Sequence, residues 1–445
     1  VTFFKTFVVF FLLGVSPVLA QSEKVAIEEF RLSNGMQVVL IPSHRVPSVT
    51  QMLWYKVGAA DDFPGRTGLA HYNEHMMFQG TPTYKAGEFS HIVSSHGGRF
   101  NAFTSEDFTA YYVSIAKEQL PLIMELEADR MLNLAPTKEN FSKERQVIIE
   151  ERRMSVENKP NALLAEEMKA LLFRNHPYHN PVIGWFSEME ALSQEDVLAF
   201  HKQFYHPANA ILVVAGDIEK PELQALAEKY YGSLPAGEQY IRHWNVEPPQ
   251  RGERHTVMYH ANVKQPEFVR YYLAPSVNSQ HKELVLPLSL LAQMLGGSNT
   301  SLLYQELVVK QKIATNISVS YEGFSVGEDT FEISANPAEH VDLPQLEAAI
   351  DTVLAKTDFK ALPASDLVRA KTLFRAENIY ARDDMEQMAR TVGELVSVGL
   401  PANYINEWDD GIDKVTSADL AKAGALVLNK KSSVTGYLLP EKGTK

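Results

Sequence analysis

The chain of 445 residues contains no cysteine. That absence removes disulfides, thiolate metal sites, iron–sulfur clusters and cysteine nucleophiles together, so any metal must be held by His, Asp or Glu. Cations are also scarce. Lys and Arg number 42 against 55 Asp and Glu, a net charge of −13. An acidic surface argues against nucleic acid as a partner, because phosphate binding needs clustered Lys and Arg. No G-x-x-x-x-G-K segment occurs, which excludes a P-loop. Past residue 20 there is no uninterrupted run of about 18 apolar residues, so no stable membrane anchor is expected after that point. What remains is ordinary globular composition, 45% hydrophobic and 22% charged, in a length that suits about two to four domains.

Residues 1–20 carry one cation, Lys5, then the apolar run Phe7 to Leu13. Gly14 and Pro17 break the run, and Val18-Leu19-Ala20 offers a small-residue cleavage site before Gln21. This pattern is that of a secretory signal peptide, and the run is too short to span about 30 Å of hydrocarbon. A first-residue Val reads as a bacterial non-AUG start, so the expected destination is the periplasm.

Beyond the signal, residues 28–42 predict strand, Asn34-Gly35 turn, strand. Strands are also predicted over Thr50 to Val57 and Asn101 to Ile115, and helices over Gly68 to Phe78, Lys117 to Leu134 and Lys138 to about Val156. The apolar run Asn209 to Gly216 reads as a central strand. Pro235-Ala236-Gly237 and Glu247-Pro248-Pro249 bracket the expected boundary, with a linker over 241–254. Strands at Thr256 to His260 and Glu267 to Leu273 then open a second half. A helix follows near Leu284 to Leu295, another over Ser301 to Lys310, and a strand over Thr315 to Tyr321. The expectation is an α+β protein of two similar domains, 21–240 and 255–445, each a mostly antiparallel sheet packed with helices.

The informative segment is His71-Tyr72-Asn73-Glu74-His75, an H-x-x-E-H motif. On a helix, positions i and i+4 share a face about 5–6 Å apart at Cβ, so both imidazoles can reach one ion. Glu74 stays on that side and is free to accept a proton from water on the metal. Zinc held by three protein ligands keeps an open position. A third ligand must come from elsewhere, and Glu144 to Glu151 supplies candidates. Glu144 and Glu151 lie about two helical turns apart and share a face, while Glu150 points away.

The stretch Gly68 to Thr81 resembles the zinc-helix signature of the pitrilysin/insulinase family of metallopeptidases, which includes the mitochondrial processing peptidases. Gly98-Arg99-Phe100-Asn101-Ala102-Phe103-Thr104 resembles that family's substrate-binding edge strand, and Glu144 to Glu151 its downstream glutamate helix. Tyr178 with Pro181-Val182-Ile183-Gly184, and Pro207-Ala208-Asn209-Ala210 with Gly216-Asp217, resemble later landmarks. The resemblance implies that His71, His75 and Glu151 ligate Zn2+ and that Glu74 is the general base. It implies that Glu144 is a second acidic residue of the site, supporting a ligating histidine or the charge balance. It also implies that an extended peptide or unfolded segment adds to the strand holding Asn101, Ala102 and Phe103. The reaction implied is attack of zinc-held water on a peptide carbonyl, with zinc polarising the oxygen.

The second half departs from the pattern. Family members that work as one chain carry an Arg and a Tyr, seven apart, that reach the substrate carbonyl. Here Val308 and Thr315 stand at those positions, and neither donates like a guanidinium or a phenol. The expectation is a periplasmic zinc endopeptidase that forms a heterodimer with a homologous subunit supplying the Arg/Tyr pair. Lys310 or Lys312 is the alternative donor. The rival reading is a non-catalytic structural or interaction subunit that kept the fold, and a second is a metal binder without hydrolysis. Among weaker signals, His176-Pro177-Tyr178-His179 reads as loop or core packing, and His96-Gly97-Gly98 as a turn.

Overall fold

The Asn34-Gly35 turn closes the first hairpin, with Gly35 at φ +90°. It joins β1 (Glu28–Arg31) to β2 (Gln37–Pro42), antiparallel with Phe30 opposite Val38. The coordinates are a computed structural model describing residues 24–441, apart from the side chains of 377–381. The signal-peptide expectation for residues 1–20 lies outside the described residues. The first sheet continues with β3 (Ser48–Tyr55), β4 (Arg99–Thr104), β5 (Thr109–Ala116) and β6 (Ala210–Gly216), in the order β1-β2-β6-β3-β5-β4. Every residue of β6 is buried, parallel to β2 and antiparallel to β3. That burial is why its sequence is an unbroken apolar run. The segment expected as one strand over 101–115 is two. Ser105 Oγ accepts from the backbone N–H of Asp107 and Phe108 and turns the chain, so that β4 returns as β5. This turn makes β4 the edge of the sheet.

The helices of the first half are α1 (Leu69–Met76), α2 (Glu88–Ser95), α3 (Leu120–Asn133), α4 (Lys138–Arg152), α5 (Pro160–Leu172), α6 (Phe186–Ala191), α7 (Gln194–Phe204) and α8 (Lys220–Tyr230). Leu69, Tyr72, Ile123, Phe200 and Leu223 from this layer form a core with Val38, Leu40, Leu53, Val113, Leu212 and Val214 of the sheet. Residues 235–253 hold no helix or strand. They are bound down all the same. Arg242 pairs with buried Asp61 at 2.9 Å, and Trp244 packs edge-on against His176 and Tyr178.

The second half repeats the plan. Its strands are β7 (Arg254–His260), β8 (Glu267–Ala274), β9 (Ala314–Ser320), β10 (Asp329–Pro337) and β11 (Ser433–Pro440), in the order β7-β11-β8-β10-β9. The parallel pair β7/β11 answers β2/β6, and β9 takes the edge that β4 takes in the first sheet. The helices are α9 (Val285–Gly296), α10 (Leu343–Lys356), α11 (Ala364–Asp383), α12 (Met385–Ser397), α13 (Tyr404–Lys414) and α14 (Ser417–Val427). The helix expected over Ser301 to Lys310 is wound as a wider π-turn over Tyr304–Lys310. The protein is thus α+β, with two similar sheet-and-helix domains.

Each sheet has its second face covered by a helix from the other half. Helix α12 lies on β3 and β6, where Met388, Val392, Leu395 and Val396 share a core with Val39, Met52, Trp54 and Val213. The approach is close: a Cβ on Gly393 would sit 2.1 Å from Trp54 Cε2. Helix α5 lies on β7, β8 and β11, where Leu164 and Met168 bury Val269, Tyr271, Val434 and Leu438. Burial of each such side chain stabilises by about 1.5–3 kcal/mol. Neither half therefore closes its own core.

Candidate metal centre and active site

Helix α1 is fixed at its start by backbone packing. Gly68 precedes it at φ +88°, where a Cβ would lie 2.6 Å from the Ile183 carbonyl oxygen. Gly184, also at φ +88°, faces it, with the Thr67 carbonyl oxygen 2.5 Å from where its Cβ would stand. Any side chain at either position would separate the two segments. Asp62 caps the helix in place of a side chain at Gly68, accepting from Gly68 N at 2.6 Å and Ala70 N at 2.8 Å. Burial pushes the Asp62 carboxyl well above the usual range, against the pull of these backbone donors. Tyr72 stacks on Phe141 at 4.8 Å and donates to its carbonyl at 2.9 Å, locking α1 against α4. At the end of α4, buried Arg152 donates to the Gly184 carbonyl and pairs with Glu157 and Glu166. These bonds hold the end of α4, one residue past Glu151.

The locked helices bring three ligand atoms together. One each from His71, His75 and Glu151 lie within 4.8 Å of one another. Glu151 Oε1 is 3.7 Å from His71 Nε2, and Oε2 is 3.2 Å from His75 Nε2. Donors at about 2.0–2.1 Å around a tetrahedral ion stand about 3.3 Å apart, so this group has the dimensions of a metal site. The donor set, two imidazoles and a carboxylate, suits zinc. His71 Nδ1 is buried with no hydrogen-bond partner among the described residues. Burial works against a charge on His75, but the Glu144 and Glu151 carboxylates outweigh it and raise the imidazole to about 9. Hydrogen bonds from the two imidazoles hold the Glu151 carboxyl far below its usual range. The pocket favours positive charge between these groups, and a cation can take the place of the proton.

Glu144 lies behind His75. Its Oε1 is 2.8 Å from His75 Nδ1, and its Oε2 accepts from Gln79 Nε2 at 2.7 Å. This fixes the imidazole with Nε2 towards Glu151. Glu150 points away and pairs with Arg153. Glu74, on α1 between the two histidines, accepts a 2.5 Å hydrogen bond from Thr104 Oγ1. Thr104 ends β4, so the strand that carries Asn101, Ala102 and Phe103 is tied to the helix of the metal group. Thr104 and Gln79 were given no role from sequence. Alternation along β4 from Ala102 would have put Thr104 on the α1 side, yet nothing in the sequence indicated that Glu74 lies there.

The remaining candidates lie elsewhere. His176 packs among Phe173, Tyr178 and Trp244, and burial lowers it to about 4. It belongs to no metal-capable group among the described residues. His96 caps α2, its Nδ1 2.8 Å from the Ile92 carbonyl. Val308 is half-buried in the π-turn against the core. Thr315 is engaged on β9 with Gln265 and the Asn336 carbonyl. Lys310 pairs with Glu306 at 2.5 Å on the surface. Among the described residues no helix is long and apolar enough to cross a membrane.

Both halves of the chain are similar to known proteins. The insulinase (peptidase family M16) model matches residues 37–184, and a second, described as the peptidase M16 inactive domain, matches 191–374. The zinc protease PqqE of Helicobacter pylori is 32% identical over 417 residues, covering 91% of each chain. An uncharacterized zinc protease of Mycobacterium leprae is 26% identical, covering 90% of this chain and 89% of that one. Among solved structures, a protease from Helicobacter pylori superposes with TM-score 0.86 at 27% identity, covering 94% of this chain and all (100%) of that one. The periplasmic protease PqqL of Escherichia coli superposes with TM-score 0.78 at 20% identity, covering 93% of this chain and 47% of that one.

Proposed function

The chain belongs to the insulinase-type peptidase family M16, and from that membership we propose that it is a zinc-dependent endopeptidase acting on peptides or unfolded segments. The observation that carries this reading is the convergence of His71, His75 and Glu151 on one point, beside a Glu74 that is not itself a member of the group. A metal binder without hydrolysis has no need of that extra carboxylate. His71, His75 and Glu151 would hold the ion, and Glu144 would keep His75 in its ligating orientation. Zinc bound there supplies Lewis acidity for a peptide carbonyl and acidifies water towards a pKa of about 7.

The rest is the work of the chain's own groups. The free edge of β4 turns the backbone of Ala102 outward, its N–H held only by its neighbour's side chain, Asn101 Oδ1, at 3.0 Å, and an extended peptide pairing there meets little demand on its sequence. Thr104 holds Glu74 Oε2, leaving Oε1 to take a proton from water. Glu74 then returns that proton to the leaving amine. The apolar run of residues 7–13 behind a single cation, Lys5, supports export to the periplasm, and the similar PqqL of Escherichia coli is named a periplasmic protease. The second half lacks an Arg/Tyr pair and matches a domain described as inactive, which supports a division of labour with a homologous subunit.

The test is metal analysis with peptide cleavage on wild type and Glu74→Gln. Wild type is expected to hold about one zinc per chain and to cleave an unstructured peptide, slowly by itself and faster with its homologous partner. Glu74→Gln is expected to keep the zinc and to lose turnover by about 10²-fold or more. Cleavage by Glu74→Gln at the wild-type rate would rule out Glu74 as the base.

A further inference from the structure

The strand that would bind the peptide is held from behind by the other half of the chain. Side chains of β4 alternate between two faces. Ala102 and Thr104 face the α1 side, while Asn101 and Phe103 face the second half. Arg390 of α12 sets its guanidinium 4.1 Å from the centre of the Phe103 ring. Its Nε donates to Glu394 at 3.1 Å one turn further on, which fixes the group over the ring. One turn before Arg390, Glu386 Oε2 accepts from Ser114 of β5 at 3.0 Å. Tyr112 of β5 stands opposite Asn101 in the ladder and tilts against the Phe103 ring at 6.5 Å. Of the outward residues of the edge strand, Phe103 meets α12 directly, and the neighbouring strand β5 is joined to the same helix through Ser114. Trp54 meets Phe103 edge-on at 5.4 Å and is itself pressed by Gly393 of the same helix.

We infer that α12 is the clamp that sets the position of the peptide-binding edge, with Arg390 as its positioning residue. The inference rests on the reading of β4 as the peptide-binding strand. An edge strand has a partner on one side only, and here that partner is β5. Its free backbone groups are ordered by whatever packs on its two faces. One face is tied by Thr104 to the metal helix, the other by Arg390 to the second half. Arg390 also stands at the wall of a cavity of about 880 Å³ between the halves, with Phe103, Thr104 and Glu394. Side chains of a bound peptide that alternate away from the metal point to this wall. The second half therefore contributes to peptide binding without carrying a metal ligand.

The experiment compares Arg390→Ala, Arg390→Lys and wild type by kinetics on an unstructured peptide and by hydrogen exchange of the full chain. Arg390→Ala is expected to raise KM about three- to tenfold with kcat within about twofold and zinc content unchanged. Exchange over 99–104 should accelerate while β3 and β6 stay protected. Arg390→Lys keeps a cation over the ring and should restore most of both effects. A general weakening of α12 would instead accelerate exchange in β3 and β6 as well, and would overturn the assignment. So would unchanged KM and unchanged exchange over 99–104 in Arg390→Ala. If the wild-type chain cleaves nothing even with its homologous partner, the peptidase reading fails, and the exchange measurement alone still decides whether Arg390 holds the strand.

Discussion

Thr104 donates a 2.5 Å hydrogen bond to Glu74, and this one contact joins the last residue of the edge strand to the carboxylate proposed as general base. A peptide paired with β4 would therefore be registered against Glu74 by the strand itself. The coupling is short, since Thr104 directly follows Asn101, Ala102 and Phe103.

Thr104→Val removes the hydroxyl and keeps the shape. Glu74 would lose its orienting donor while the metal ligands stay in place. The expected result is a kcat lowered about 10–100-fold, with KM and zinc content near wild type, and recovery in Thr104→Ser. Steady-state kinetics beside metal analysis check this. An unchanged kcat would mean that Glu74 is oriented by something else.

Glu144 should act on affinity rather than on chemistry. Its carboxylate faces His75 Nδ1 at 2.8 Å, and charge at that position strengthens the imidazole as a donor. Glu144→Gln keeps a hydrogen-bond acceptor and removes the charge. The expected result is zinc affinity lower by about 10–100-fold, measured by competition with a chelator. Residual turnover at saturating zinc should stay well above that of Glu74→Gln.

How much of this was legible in the sequence depends on the distance over which each feature is encoded. The pairing of His71 with His75 is a local matter of helical spacing, and so is the shared face of Glu144 and Glu151. The Asn34-Gly35 hairpin and the buried β6 run are local as well. The Ser105 turn is hidden in the sequence because strand-forming Phe and Thr stand on both sides, and the polar interruption Ser105-Glu106-Asp107 is only three residues long. The exchange of α5 and α12 between the halves could not be read. Both helices are amphipathic, and a sequence pattern gives an apolar face without naming the sheet that it covers. Thr104 and Arg390 were missed for the same reason, since their partners are 30 residues back and 287 residues back in the chain.

Acid should destabilise the fold through buried histidine. His201 of α7 is buried and stacks on Tyr205 at 5.0 Å, and burial lowers its pKa to about 4. The unfolded chain takes up that proton near pH 6.5. Between about pH 6.5 and 4 the unfolded state binds more protons, so stability falls as pH falls, by on the order of 3 kcal/mol for this one residue. His176, lowered to about 4 by burial, acts in the same direction. Asp107 opposes them, because burial raises it to about 6 and its ionisation costs stability as pH rises. The difference between wild type and His201→Gln isolates the first effect. Urea midpoints at pH 7.5, 5.5 and 4.5 should decline less steeply in the variant, whatever its absolute stability. Parallel declines would mean that His201 is protonated in the folded state.

The last expectation concerns what the second half cannot supply. Val308 has no polar atom on its side chain, and the Thr315 hydroxyl is engaged with Gln265 and the Asn336 carbonyl. Lys310 is held on the surface by Glu306, and Lys312 sits at φ +57° on an exposed turn. Val308, Thr315 and Lys310 are thus not free donors, and Lys312 lies four residues from the position where the family carries its Arg. Loss of one preorganised donor to a developing oxyanion costs about 10²–10³ in rate. The chain alone is therefore expected to be a poor peptidase, and a homologous chain carrying the Arg/Tyr pair should raise kcat by at least about that factor. A second copy of this chain brings Val308 and Thr315 again and should add nothing. The measurement is peptide cleavage with mass in solution, for the chain by itself and co-expressed with its candidate partner. Full activity at the mass of a single subunit type would defeat the proposal, and Lys310→Ala and Lys312→Ala would then show whether either lysine is the replacement donor.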